Sequence, residues 1–177
     1  MSLEHADVTI IHLNDVPEQY FGELPPLRDY QTEPLPFFLV LPSGIQHLDE
    51  IRASIANHGL SVRREAEVNN FELMGRYIYP VVAEKPHSYA WLMLNRHLFG
   101  THADFAYAFV LNDPVNSQDA HEALARIKRE IRAEIGIRRY TIINGLASID
   151  VALHHIHAPD YDDLAFQYNA LLNFTER

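Results

Sequence analysis

The stretch FFLVLPSGIQHLDEIRASIANHG, residues 37–59, decides the architecture that the rest of the chain completes. FFLVL, residues 37–41, is a continuous apolar run of strand length, and it reads as a short buried strand. ProSerGly at 42–44 turns the chain, and a helix follows from Leu48 to Asn57. Its apolar positions 48, 51 and 55 share one face, with His58 and Gly59 as its stop signal.

Downstream, LSVRREAEV at 60–68 reads as a second strand, and the tyrosine-bearing stretch Phe71 to Tyr79 as a helix ended by Pro80. A further helix, Ser88 to Phe99, carries the single tryptophan. DFAYAFVLN, residues 104–112, alternates and then turns apolar, as a central strand does, before AspPro ends it. Residues 118–135 form the clearest helix, with Leu124, Ile127, Ile131 and Ile135 on one stripe. RYTII and LASIDVAL are strand-like, HHIHAPD at 154–160 is a junction, and an amphipathic helix runs from Tyr161 to about Leu172.

The order strand, helix, strand, helices, strand, helix, strand, helix predicts an α/β chain. It takes the form of an α+β sandwich with helices on one face of a mainly antiparallel sheet. Residues 1–36 differ in character. An alternating segment, Val8 to Leu13, is followed by prolines at 25, 26, 34 and 36. Proline lacks an amide donor and restricts its predecessor, so this region reads as an extended arm preceding one domain at 37–177.

Composition narrows the function. A chain of 177 residues is sufficient for one domain with a sizeable core. Lys plus Arg number 14 against 24 Asp plus Glu, a formal charge of -10, so the basic footprint for duplex nucleic acid is missing. The absence of cysteine removes disulfides, thiolate metal sites and thiol nucleophiles. No stretch has the length of a membrane helix and the N-terminus lacks a signal-peptide pattern, so the expectation is a cytoplasmic protein without a membrane partner.

Among the 11 histidines, His154, His155 and His157 stand together with Asp160, Asp162 and Asp163 just beyond. An imidazole at a strand-to-helix junction is suited to nucleophilic or general-base work. The plainer alternative is a polar loop with Asp160 capping the next helix. His154, His157 and Asp160 also have metal-ligand chemistry and stay open as a further alternative, although Pro159 interrupts the helical face they would share and no metal ligand is assigned. Neither GxGxxG nor GxxxxGK[ST] occurs, and Ser43 lacks the GxSxG setting of a hydrolase nucleophile.

Four stretches together resemble the nucleoside diphosphate kinases. FFLVLPSGIQ matches the first strand and LysProAspGly turn in position, and KPHSYAWL at 85–92 resembles the LysProPhePhe segment. TIINGLASID resembles ThrIleArgGlyAsp, and HHIHAPD resembles the AsnXaaXaaHisGlySerAsp signature. The resemblance implies a ferredoxin-like fold, a homo-oligomer, and phosphoryl transfer between a nucleoside triphosphate, carried with magnesium, and a diphosphate. It places His157 at the phosphorylated histidine, Tyr79 beside it, Tyr89 or Trp91 at the base-stacking aromatic, and Arg132 at a phosphate-binding arginine. The family's catalytic lysine falls on Leu41, a second arginine near Asn144, the signature asparagine on His154 and the serine on Pro159. The glutamate that orients the imidazole falls near Gln167 or Tyr168. These departures support an alternative, a catalytically inactive interaction or structural domain on the same fold, because phosphoryl transfer depends on the charges they remove.

Overall fold

The computed structural model describes residues 9–12, 23–78, 105–112, 118–135, 140–144, 151–152 and 156–175. In chain order the elements are β1 (Thr9–His12), β2 (Phe37–Val40), α1 (Leu48–Asn57), β3 (Val62–Val68), α2 (Phe71–Ile78), β4 (Ala106–Leu111) and α3 (Gln118–Ile135). Then come β5 (Tyr140–Asn144), β6 (Val151–Ala152), β7 (Ile156–His157) and α4 (Leu164–Thr175). Short 3-10 turns, Pro42–His47 and Tyr161–Asp163, lead into α1 and α4, so the last α-helix begins at Leu164 rather than Tyr161. The helix expected over Ser88 to Phe99 lies outside the described residues.

Four strands form an antiparallel sheet in the order β3-β4-β2-β7. The central strand β2 is buried at every position and feeds two cores. Phe37, Leu39 and Leu41 point into one, with Phe71 and Met74 of α2 and Leu171 of α4. Phe38 and Val40 enter the other, with Ile51 and Ile55 of α1 and Ile127 and Ile131 of α3. Helices therefore cover both faces, which corrects the expectation of helices on one face. Consecutive apolar side chains project to opposite sides of a strand, and each side needs cover. A second sheet has β1 parallel to β5 and β6 antiparallel to β5.

The ends of the elements follow from local chemistry. At the end of α1 the Gly59 amide donates to the Ala56 carbonyl and the Leu60 amide to the Ile55 carbonyl, while Gly59 takes φ +76°. This is the Schellman closure, which glycine permits because it has no Cβ. Leu60 folds back onto the core that contains Ile55, completing the turn into β3. At the start of α2, Asn70 takes φ 55°, and its Oδ1 accepts from the Leu73 amide at 3.1 Å. An asparagine tolerates that backbone and supplies the cap.

Residues 23–36 form no helix or strand, and side chains of α4 hold part of this segment. The Arg28 amide donates to Asn173 Oδ1, and the Tyr30 amide to Asn169 Oδ1. Both asparagines return a donation to the Arg28 carbonyl. Asn169 and Asn173 are four residues apart, one helical turn, so they face the same passing backbone. Further along, Leu35 is buried in the α2–α4 core and Tyr30 packs against it. Among the described residues no helix is long and apolar enough to cross a membrane.

Candidate functional site

The alternation of β7 separates its two residues. Ile156 enters the core under α1 and α3, so His157 turns to the opposite face, where α4 lies. Pairing with β2 sets His157 opposite Leu39 and Ile156 opposite Val40, and thereby fixes the imidazole against a central strand. His157 Nε2 lies 2.7 Å from Oε1 of the buried Gln167. An amide oxygen only accepts, so Nε2 carries the proton and donates, and the ring lone pair belongs to Nδ1.

His157 has its pKa pushed down to about 4, first by burial and then by the nearby charges of Lys128 and Arg132; the Gln167 hydrogen bond and Asp160 oppose that shift. Near pH 7 the group is therefore a neutral imidazole of fixed tautomer. That state carries the electron pair a nucleophile needs, which an imidazolium lacks.

The cations beside it are engaged with the strand backbone. Arg132 donates through Nε and Nη2 to the Ile156 carbonyl, at 3.0 and 2.7 Å. Lys128 reaches the Ala158 carbonyl at 3.4 Å, and burial together with Arg132 lowers its pKa. Both side chains come from α3 and terminate the outer edge of β7, a location where unpaired strand carbonyls need donors. Leu41 is fully buried, so it presents no group to a phosphate.

The sequence-predicted site is thus gathered only in part. His157, Arg132 and Gln167 meet around β7. Asn144 belongs to β5 in the other sheet, where its backbone pairs with His12. Tyr79, Tyr89, Trp91 and His154 lie outside the described residues. Asp160 precedes the 3-10 turn at 161–163 without a side-chain capping bond, so the expected capping role is not seen. Among the described residues no three histidine, aspartate or glutamate side chains converge on a cation position.

Two polar assemblies had no counterpart in the sequence reading. Arg52 grips Glu65 with Nε and Nη2, each at 2.8 Å, while the Tyr107 hydroxyl donates to the same carboxylate at 2.9 Å. These bonds join α1 to β3 and β4 and hold the Glu65 carboxyl below its usual range, with Arg52 as the main cause. His58 bonds the Ser54 carbonyl and Glu130, each at 2.8 Å, and ties the end of α1 to α3. Both clusters join separate elements and so fasten the fold.

No protein-family model matches the chain, and no curated protein matches it.

Proposed function

We propose that this chain is a domain of the nucleoside diphosphate kinase type, ferredoxin-like in its sheet, with His157 as the phosphoryl-accepting residue. The observation that carries this reading is the His157–Gln167 pair. The resemblance expects a side chain near position 167 to orient the imidazole, and Gln167 Oε1 holds Nε2 at 2.7 Å. Support for the fold comes from the order β3-β4-β2-β7, which puts the first and third strands of a βαββαβ unit at the centre of an antiparallel sheet.

In the proposed step the Nδ1 lone pair forms an N–P bond with the terminal phosphorus of a nucleoside triphosphate. The bond to the bridging oxygen breaks, and a nucleoside diphosphate leaves with that electron pair. A second nucleoside diphosphate then takes the phosphoryl group by the reverse displacement. Magnesium would accompany the nucleotide, as the resemblance implies.

A second reading is favoured by a separate observation. Leu41, at the position of the family's lysine, is buried, and Arg132 is bonded to the Ile156 carbonyl. Stabilisation of developing phosphate charge accounts for much of such catalysis. A fold kept for interaction without transfer would show this arrangement.

Incubation with γ-labelled ATP separates the two. The first reading expects an acid-labile, base-stable label that is lost in His157→Gln. Unlabelled wild-type protein that still binds nucleoside diphosphate in calorimetry leaves a binding domain, and a chain that neither labels nor binds is the interaction domain. Light scattering of the full chain tests the expected homo-oligomer.

A further inference from the structure

A cavity of about 600 Å³ lies away from His157, between the N-terminal segment, the sheet and α4. Its size is within the range of small-molecule sites, roughly 300–1,000 Å³. Three elements build it.

The sheet contributes charge. Along β3 the residues paired across from Ala106, Ala108 and Val110 are Val68, Ala66 and Arg64, and these six share the face under α4. The row that starts with small and apolar side chains therefore ends in a guanidinium. Between Val62 and Arg64 the register slips, because Val62 pairs with Leu111 and Arg64 with the adjacent Val110. Arg63 is the extra residue of that bulge. A bulged residue is released from strict up-and-down alternation, and both Arg63 and Arg64 line the cavity.

Helix α4 and the arm contribute flat apolar surface. Tyr168 and Tyr30 both line the space, and Tyr168 is held in place against Phe37, with ring centroids 6.4 Å apart. The wall on the arm side is fixed as well as present. Asn169 and Asn173 fasten residues 28 and 30, and Gln31 takes φ 51° with its amide donating to Asp29 Oδ1 at 3.0 Å. A non-glycine residue in left-handed backbone persists where its surroundings impose it. Glu33 also lines the space, so among the described lining residues two guanidinium groups accompany one carboxylate.

We propose that this cavity is a binding site for a small organic anion with a planar ring, its phosphate or carboxylate held by Arg63 and Arg64 and its ring set between Tyr30 and Tyr168. Guanidinium groups bind both oxyanions through paired N–H donors, and tyrosine rings receive a flat apolar body. This site does not rest on the function proposed for His157.

Calorimetry on the full chain tests it with four probes: adenosine 5′-monophosphate, 4-hydroxybenzoate, adenosine and inorganic phosphate. At least one of the two planar anions is expected to bind, and at least tenfold more tightly than adenosine or phosphate. Preference between them tells an aromatic phosphate from an aromatic carboxylate. The double variant Arg63→Gln with Arg64→Gln is expected to weaken that binding at least tenfold. Thr32→Trp, which fills the space from an exposed position on the arm, is expected to abolish it without lowering the melting temperature. His157→Gln is expected to bind as wild type does, which keeps this site distinct from the one on β7. Absence of binding by both planar anions, unchanged affinity in the arginine and Thr32 variants, or loss in His157→Gln would overturn the proposal.

Discussion

His157 on the edge strand and Gln167 on the final helix share one hydrogen bond, Nε2 to Oε1 at 2.7 Å, and it sets the tautomer of the imidazole as well as its direction. The bond alone would favour a protonated ring, yet burial outweighs it and the pKa falls to about 4. In the unfolded chain the same group titrates near 6.5.

The sign of the pH effect follows. Above about pH 6.5 the ring is neutral in both states and opposes nothing. As pH falls toward 4 the unfolded chain gains a proton that the folded chain refuses, and stability drops. At 1.36 kcal/mol per pKa unit the full swing is on the order of 3 kcal/mol. Chemical denaturation from pH 7 to pH 4 is expected to show a smaller loss in His157→Gln than in wild type. Gln167→Glu is expected to raise the imidazole pKa, read by NMR titration of the ring, since a carboxylate then accepts from Nε2.

His58 titrates with the opposite sign. Its pKa is raised, chiefly by the Ser54 carbonyl and then by Glu130, so its contribution is complete below about pH 6.5 and is lost as pH rises through the raised value. Glu130 is half exposed, which keeps the contribution to about 1 kcal/mol and makes it sensitive to salt. His58→Ala is expected to remove that alkaline loss and to lower the melting temperature more at pH 5.5 than at pH 8.

Glu65 is the acceptor shared by Arg52 and Tyr107. Glu65→Gln is expected to destabilise by about 1 kcal/mol, below the 3–5 kcal/mol of a fully buried pair, because much of the Arg52 side chain remains in water. The depressed Glu65 pKa adds stability above the usual carboxylate range that is lost as pH falls through its folded value. Urea titrations from pH 7 into the acid range check both statements, since the gap between variant and wild type narrows as pH falls.

Asn169→Ala with Asn173→Ala leaves the backbone groups of residues 28 and 30 without their partners on α4. The segment is expected to loosen, with a loss of about 1 kcal/mol per asparagine. Faster amide exchange confined to residues 28–30, against unchanged exchange in β2 and β4, is the diagnostic pattern.

Ile131→Ala and Met74→Ala probe the two cores separately, as Ile131 packs under α1 and α3 and Met74 under α2 and α4. Each is fully buried, so each is expected to cost about 2–5 kcal/mol in thermal or urea unfolding. Similar losses on both sides follow from a sheet that needs both covers.

Residues 118–135 were legible because four apolar residues at helical spacing leave one reading, and the helix observed has those bounds. FFLVL was legible as a strand for its length and uniform apolarity. Its two-sided burial was also implied by that uniformity, but the element order favoured a one-faced sandwich instead. β7 has two residues, too few for any period to register. The resemblance sets Arg132 at a phosphate-binding arginine, whereas one of its partners is a carbonyl 24 residues away. Such contacts depend on which strand passes beneath a helix, and local spacing does not encode that. The bulge at Arg63 was hidden for the same reason, since it exists only in the register between two strands.

The fastening of the arm to α4 has a consequence for tolerance to change. Asn169 and Asn173 read amides and a carbonyl, which are common to nearly all residues, so the clamp is blind to the side chain at position 28. Randomising that position should leave the arm seated, whereas most replacements at 169 or 173 should release it. Sequence constraint for this contact is carried by the helix, and the segment it holds is left open to variation.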